Sequence, residues 1–135
     1  MKKWVFIFVG LLILLNMNVY TAELSAEDAK IIKAAGIPIY PEATFAYGSR
    51  DVGYRFATSK PPAEVRQWYR EKLSDWSLYE QYGGWILYKG EKDLGMAEVM
   101  SKLQVMIQEN ENLPEWHSLG KDMTTEIVIM IPKTE

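Results

Sequence analysis

The amino-acid sequence predicts an α+β fold: an antiparallel sheet of five to six strands with one main amphipathic helix on one face, preceded by a short helix. Three observations predict it. Several segments alternate apolar and polar residues with the period of two that is typical of half-buried strands. Turn-forming residues separate neighbouring segments, which favours antiparallel hairpins. One longer segment repeats its apolar residues with helical spacing, so it is expected to pack on the sheet.

The first elements follow from capping and turn residues. Ser25 and Asp28 have the spacing of a helix N-terminal capping box, and Gly36 is placed to end that short helix. Two prolines within residues 37–41 then require an extended backbone. Residues 44–47 and 52–58 alternate with period two around a turn, which predicts a β-hairpin.

The main helix is predicted to begin at Pro61 and Pro62, since proline suits a first helical turn. Four of its side chains share one apolar face and are expected to be largely buried, namely Val65, Trp68, Tyr69 and Leu73. After this helix, two glycines separate residues 78–82 from residues 85–89, which predicts a second hairpin with a primed turn. Residues 102–108 and 124–131 are the last predicted strands.

Composition excludes several classes of function. The 135 residues allow one domain, and a hydrophobic content of 48% is typical of a globular protein. A net charge of −3 argues against nucleic-acid binding, which requires a basic face. The absence of cysteine excludes disulfides, thiolate zinc sites and a cysteine nucleophile, and the single histidine excludes sites that need two. No cofactor and no metal are predicted.

The N-terminus has the pattern of an export signal. Lys2 and Lys3 precede an uninterrupted apolar run at residues 4–15, which is short of the ~20 residues that a membrane span needs. Ala22, or alternatively Thr21, is a plausible last residue before cleavage. Residues 1–22 are therefore predicted to be a signal peptide or, if retained, an N-terminal anchor and the only membrane contact. Residues 23–135 are predicted to form a single α+β domain, periplasmic or secreted.

Aromatic residues are the main candidates for binding. The second hairpin carries aromatic side chains on both faces, whereas a single helical layer covers only one face of a sheet. Those left exposed are predicted to stack on a sugar or contact a protein partner, and the candidates are Tyr79, Tyr82, Trp85 and Tyr88. The interpretation that the sequence favours is nevertheless that these rings form core and ordinary cross-strand pairs.

The connection at residues 109–123 is longer than a hairpin needs, and long loops on rigid scaffolds often carry recognition. Trp116 is its one large apolar side chain and a further binding candidate. His117 lies in the same loop without a recognisable nucleophile partner, so no catalytic residue is predicted. The acidic residues of this loop do not have the spacing of an EF-hand.

Three segments resemble small exported bacterial α+β domains of unknown function: residues 36–43, 55–73 and 125–132. In that family a P-x-Y-P-G-A segment precedes a strand, and a helix of the form S-P-E-E-V-x-x-W/F-Y follows. Here Glu42 replaces the glycine, and Lys60 and Pro61 replace the usual capping pair. The resemblance implies the fold and the exported location, and it supplies no catalytic residue.

Two hypotheses follow. The first is an exported, non-catalytic binding or accessory domain of the bacterial envelope, whose partner is a protein or another envelope component. The alternative is a small carboxylate-dependent envelope hydrolase. Glycoside hydrolysis requires two acids ~5–10 Å apart, an arrangement that only a three-dimensional structure displays.

Overall fold

The structure is a computed structural model that describes residues 23–110 and 123–133. In these residues it contains a six-stranded antiparallel sheet and three helices, which confirms the predicted α+β class. The elements in chain order are α1 (Ala26–Ala34), β1 (Thr44–Ser49), β2 (Gly53–Thr58), α2 (Pro62–Lys72), β3 (Ser77–Tyr79), β4 (Ile86–Tyr88), α3 (Met96–Val99), β5 (Gln104–Glu109) and β6 (Thr125–Met130).

The strands are ordered β1-β2-β6-β5-β4-β3 across the sheet. The last strand of the chain therefore lies in the centre, between β2 and β5. Its register with β2 pairs Phe56 with Ile127, and its register with β5 pairs Ile107 with the same residue. Helix α2 carries the chain from β2 to β3, which forms the far edge of the sheet.

Helices α1 and α2 cover one face of the sheet and enclose the main core. Val65 and Tyr69 of α2 are completely buried, and Leu73 just beyond the helix is also buried. The sheet contributes Val105, Ile127 and Ile129, which are buried, and Leu103 and Ile131, which pack against the same core while partly buried.

Trp68 departs from the prediction, because it is only half-buried. Its ring packs edge-on against Tyr40 and Tyr69, with centroid separations of 5.3 and 4.9 Å. Lys72 lies 5.7 Å above the same ring. Trp68 thus fills the rim of the helix–sheet interface, beside the proline-containing segment, and not its centre.

Helix α1 is held to the sheet through its first turn. Ser25 caps the helix by accepting from the backbone N–H of Asp28, and Gly36 follows its end with a φ of 78°. The Asp28 carboxylate accepts from the Ser25 hydroxyl at 2.9 Å and from the Tyr54 hydroxyl at 2.7 Å. Since Tyr54 belongs to β2 and Ile32 of α1 is buried, the helix is fixed both by packing and by a hydrogen bond.

The first hairpin closes through glycine. Gly48 has a φ of 125°, and a Cβ atom there would collide with the carbonyl oxygen of Gly53 across the turn. Val52, expected to begin the second strand, instead lies in the turn and is 61% exposed. Pairing starts at Gly53, opposite Ser49, and residues 50–52 join the two strands. The close approach of the two backbones leaves no room for a side chain at position 48.

Within the described residues, none of the helices is both long and apolar enough to span a membrane. The export signal predicted for residues 1–22 lies outside the described residues, as does Trp116.

Candidate functional site

The second hairpin has a longer connection than predicted. Tyr79 of β3 pairs with Ile86 of β4, so residues 80–85 join the strands. Within them, the N–H of Gly84 donates to the carbonyl oxygen of Gln81 at 2.9 Å and closes a β-turn. Its two central residues, Tyr82 and Gly83, have φ angles of 53° and 77°, as a type I′ turn requires.

The predicted primed turn is therefore present, but it is centred one residue earlier than the two glycines suggest. As a result, Tyr82 occupies a left-handed backbone conformation that non-glycine residues seldom adopt. Such a conformation costs on the order of 1–3 kcal/mol when glycine is not used. Tyr82 is also 94% exposed, the largest exposure among the large hydrophobic residues that the structure describes.

The other three aromatic candidates of this hairpin are buried, with exposures of 6% for Tyr79, 6% for Trp85 and 0% for Tyr88. Trp85 belongs to the core beneath the helices. Tyr79 and Tyr88 point to the opposite face, where they form a second core with Val99. The expectation that one face of the hairpin leaves its rings exposed is thus wrong for these three residues, each of which is at most 6% exposed.

The physical reason is a second layer that covers the other face of the sheet. Residues 90–100, including α3, fold over the face opposite α1 and α2 and contribute Leu94 and Val99 to the second core. Hydrogen bonds hold this segment: the Tyr88 hydroxyl donates to the carbonyl of Glu91 at 2.6 Å. The side-chain amide of Gln104 donates to the carbonyl of Val99 at 2.9 Å.

Two clefts flank the turn that carries Tyr82. The first has a volume of about 350 Å³, and its lining comprises Arg66, Glu80, Gln81, Tyr82, Gly83, Gly84 and Trp85. The second, of about 360 Å³, has a lining of Leu78, Tyr79, Glu80, Gln81, Tyr88, Asp93 and Leu94. Because Glu80 and Gln81 line both clefts, the connection forms a ridge between them.

Arg66 forms the cationic part of the first cleft. Its guanidinium lies 5.9 Å from the centroid of the Trp85 ring, and its Nη2 donates to the carbonyl of Ile107 at 3.3 Å. Its Nε is buried without a hydrogen-bond partner. No carboxylate among the described residues forms an ion pair with Arg66, and Glu80 likewise has no described hydrogen bond or ion pair.

The one fully buried carboxylate of the described chain lies elsewhere, on the face of the sheet opposite α1 and α2. Oε1 of Glu126 accepts from Arg55 Nη1 at 2.7 Å and from Gln108 Nε2 at 2.8 Å. Its Oε2 is buried without a partner. The described partners of Glu126 are thus a guanidinium and an amide, an arrangement that fixes neighbouring strands and does not provide the paired acids of a glycosidase.

No group of three or more His, Cys, Asp or Glu residues in the described part of the chain is arranged to hold a metal ion. Trp116 and His117 fall outside that part. Comparisons of the chain with protein families, with curated proteins and with solved structures find no match. The function is therefore inferred from the surroundings of Tyr82, the one sequence-predicted candidate that the structure places on the surface.

Proposed function

We propose that this chain is a non-catalytic binding domain of the bacterial envelope, exported through residues 1–22, and that it contacts its partner through the turn at Tyr82. The observation that carries the proposal is the combination of 94% exposure and a φ of 53° at this tyrosine. Tyrosine presents a large, rigid contact area with few rotatable bonds, and it is enriched at binding surfaces.

The unfavourable contribution of Tyr82 to the stability of the fold supports a binding role for this residue. A glycine at position 82 would suit the turn better, and burial of the ring would remove apolar surface from water. With Tyr82 at this position, the turn is strained and the ring stays in water, so the residue does not stabilise the folded domain in either way. Residues that break local rules in this way tend to be located where function uses them.

The proposal is tested by immobilising the full chain and measuring what it retains from an envelope extract. We expect Tyr82→Ala to reduce retention of a specific component about tenfold, the effect of losing a binding hot spot. Val52→Ala is the matched control, because Val52 is also an exposed apolar residue in a hairpin turn. Equal retention by the wild type and Tyr82→Ala would contradict the proposal.

The alternative, a carboxylate-dependent envelope hydrolase, is favoured by one observation: Glu80 and Asp93 both line the second cleft. In such an enzyme, one acid would protonate a leaving group while the other acted as base or nucleophile. Glu80→Gln and Asp93→Asn should then each abolish hydrolysis of envelope glycans. Absence of hydrolysis by the wild type removes this alternative.

A further inference from the structure

The two clefts beside Tyr82 differ from the usual small-molecule pocket. Such pockets are lined predominantly by hydrophobic and aromatic side chains. Both clefts here expose more polar than apolar surface, although a tryptophan or tyrosine ring contributes to each. Their ligand is therefore expected to be rich in polar groups and to retain some apolar surface.

The free polar groups of the first cleft include both donors and acceptors. Arg66 has five N–H donors in total. One on Nη2 donates to a carbonyl of β5 and the one on Nε is buried, so the donors left for a ligand are on Nη1 and Nη2. Glu80 presents carboxylate oxygens, which accept. Gln81 adds an amide whose oxygen accepts from the Tyr79 hydroxyl at 3.5 Å, with its NH₂ group left to donate. The charges of Arg66 and Glu80 balance each other, so the cleft has no net charge to favour a strongly charged ligand.

Hydroxyl groups match this set, since each one both donates and accepts. A pyranose ring carries hydroxyls around its edge and presents C–H groups on its faces. Those faces are apolar and flat, so they stack on an aromatic ring that stands free of the protein. Tyr82 provides such a ring on the ridge between the two polar clefts.

We propose that this ridge binds a neutral oligosaccharide. One pyranose unit stacks on the Tyr82 ring, and the neighbouring units occupy the flanking clefts, where Arg66, Glu80 and Gln81 hydrogen-bond their hydroxyls. The assignment rests on the proposed binding function and names its ligand class. Recognition is by stacking and hydrogen bonding alone, so no bond in the sugar is broken.

The test titrates the full chain with three neutral hexasaccharides, cellohexaose, maltohexaose and hexa-N-acetylchitohexaose, by calorimetry and by amide chemical-shift changes. We expect one of them to bind, with shift changes at residues 80–85. Tyr82→Ala should weaken that binding about tenfold, whereas Tyr82→Phe should stay within about twofold, because the ring and not the hydroxyl makes the contact. Arg66→Met should weaken it about fivefold by removing hydrogen-bond donors.

Two variants distinguish the loss of the Tyr82 ring from a loss of stability. Tyr82→Gly removes the ring and relieves the turn, so it should lose sugar binding while remaining at least as stable as the wild type. Val52→Ala should bind as the wild type does. Unchanged sugar binding by Tyr82→Gly would overturn the proposal.

The outcomes also distinguish this inference from the proposed function. If none of the three hexasaccharides binds at millimolar concentration, but an envelope protein is retained in a Tyr82-dependent manner, the sugar assignment is wrong and the binding function stands. If neither sugar binding nor retention depends on Tyr82, both are wrong.

Discussion

Two adjacent residues of the second hairpin connection have positive φ angles, and only one of them is glycine. Gly83 adopts its φ of 77° without steric cost, whereas Tyr82 adopts 53° against the preference of an L-residue with a side chain. The pair therefore offers an internal comparison of backbone strain at one turn.

We expect Tyr82→Gly to raise the free energy of unfolding by about 1 kcal/mol, since relief of the left-handed conformation exceeds the added chain entropy of glycine. Gly83→Ala should lower it by a similar amount. A Cβ atom at Gly83 meets no other atom within 4 Å, so this control reports strain and not a clash. Urea denaturation measures both, and a destabilised Tyr82→Gly would show that the ring supports the fold.

Tyr82 is an apolar ring exposed to water, whereas Glu126 is a charged residue buried in the protein. Its carboxylate is completely buried, and Arg55 supplies its only described ion pair. Arg55→Met should lower the free energy of unfolding by about 3 kcal/mol, because the buried carboxylate loses its cation and keeps only the hydrogen bond from Gln108. The double variant Arg55→Met/Glu126→Gln should be more stable than Arg55→Met alone. Denaturant titration decides, and a double variant no more stable than the single one would contradict this account.

At the scale of elements, α1 depends on a phenol–carboxylate hydrogen bond. Burial, together with this hydrogen bond to Asp28, raises the pKa of Tyr54 to about 12. The unfolded chain loses the same proton near pH ~10. A raised pKa in the folded state means that the stabilisation is complete below pH ~10 and is lost as the pH rises through about 12.

We therefore expect the free energy of unfolding to fall between pH ~10 and ~12, and Tyr54→Phe to show a smaller fall. The comparison with Tyr54→Phe is required because burial also raises the pKa of Tyr69, whose hydroxyl donates to the carbonyl of Pro38 at 3.0 Å. Denaturation at a series of alkaline pH values measures this. Parallel pH profiles for the wild type and Tyr54→Phe would show that Tyr54 does not contribute.

Helix α2 allows a comparison between the centre and the rim of one interface. A fully buried aromatic residue costs about 3–5 kcal/mol on truncation to alanine. Tyr69 meets that condition, whereas Trp68 is half-buried and should cost about 2 kcal/mol. Thermal or urea denaturation of Tyr69→Ala and Trp68→Ala ranks them, and a larger loss for Trp68 would place it in the centre of the core.

For the whole molecule, the layer formed by residues 90–100 decides which aromatic residues remain available. Val99 is completely buried in it, and Met96 in the same short helix is 51% exposed. Val99→Ala should lower the free energy of unfolding by about 2 kcal/mol and increase the exposure of Tyr79 and Tyr88, because it leaves a cavity. Met96→Ala should change it by less than about 0.5 kcal/mol. Denaturation and tyrosine fluorescence quenching measure the two effects, and equal behaviour of the variants would contradict the assignment of this layer.

Local patterns in the sequence were sufficient to predict the main helices and strands and the α+β class of the fold. The capping at Ser25 and Asp28, the proline start of α2 and the period-two strands all act over a few residues, so they are readable without the fold. The same holds for the primed turn near Gly83, although its centre moved by one residue. The α+β class follows because one helical segment among several strands has few ways to bury its apolar face.

Tertiary structure alone decided the strand order and the surface. The insertion of β6 between β2 and β5 joins residues that are far apart in the chain, and no local pattern encodes that choice. Burial of Tyr79 and Tyr88 depends on residues 90–100 packing from outside the hairpin. Periodicity reports which side chains share a face, whereas exposure depends on what covers that face. For this reason the sequence indicated four aromatic candidates in the hairpin, whereas in the folded structure one of them, Tyr82, is exposed to water.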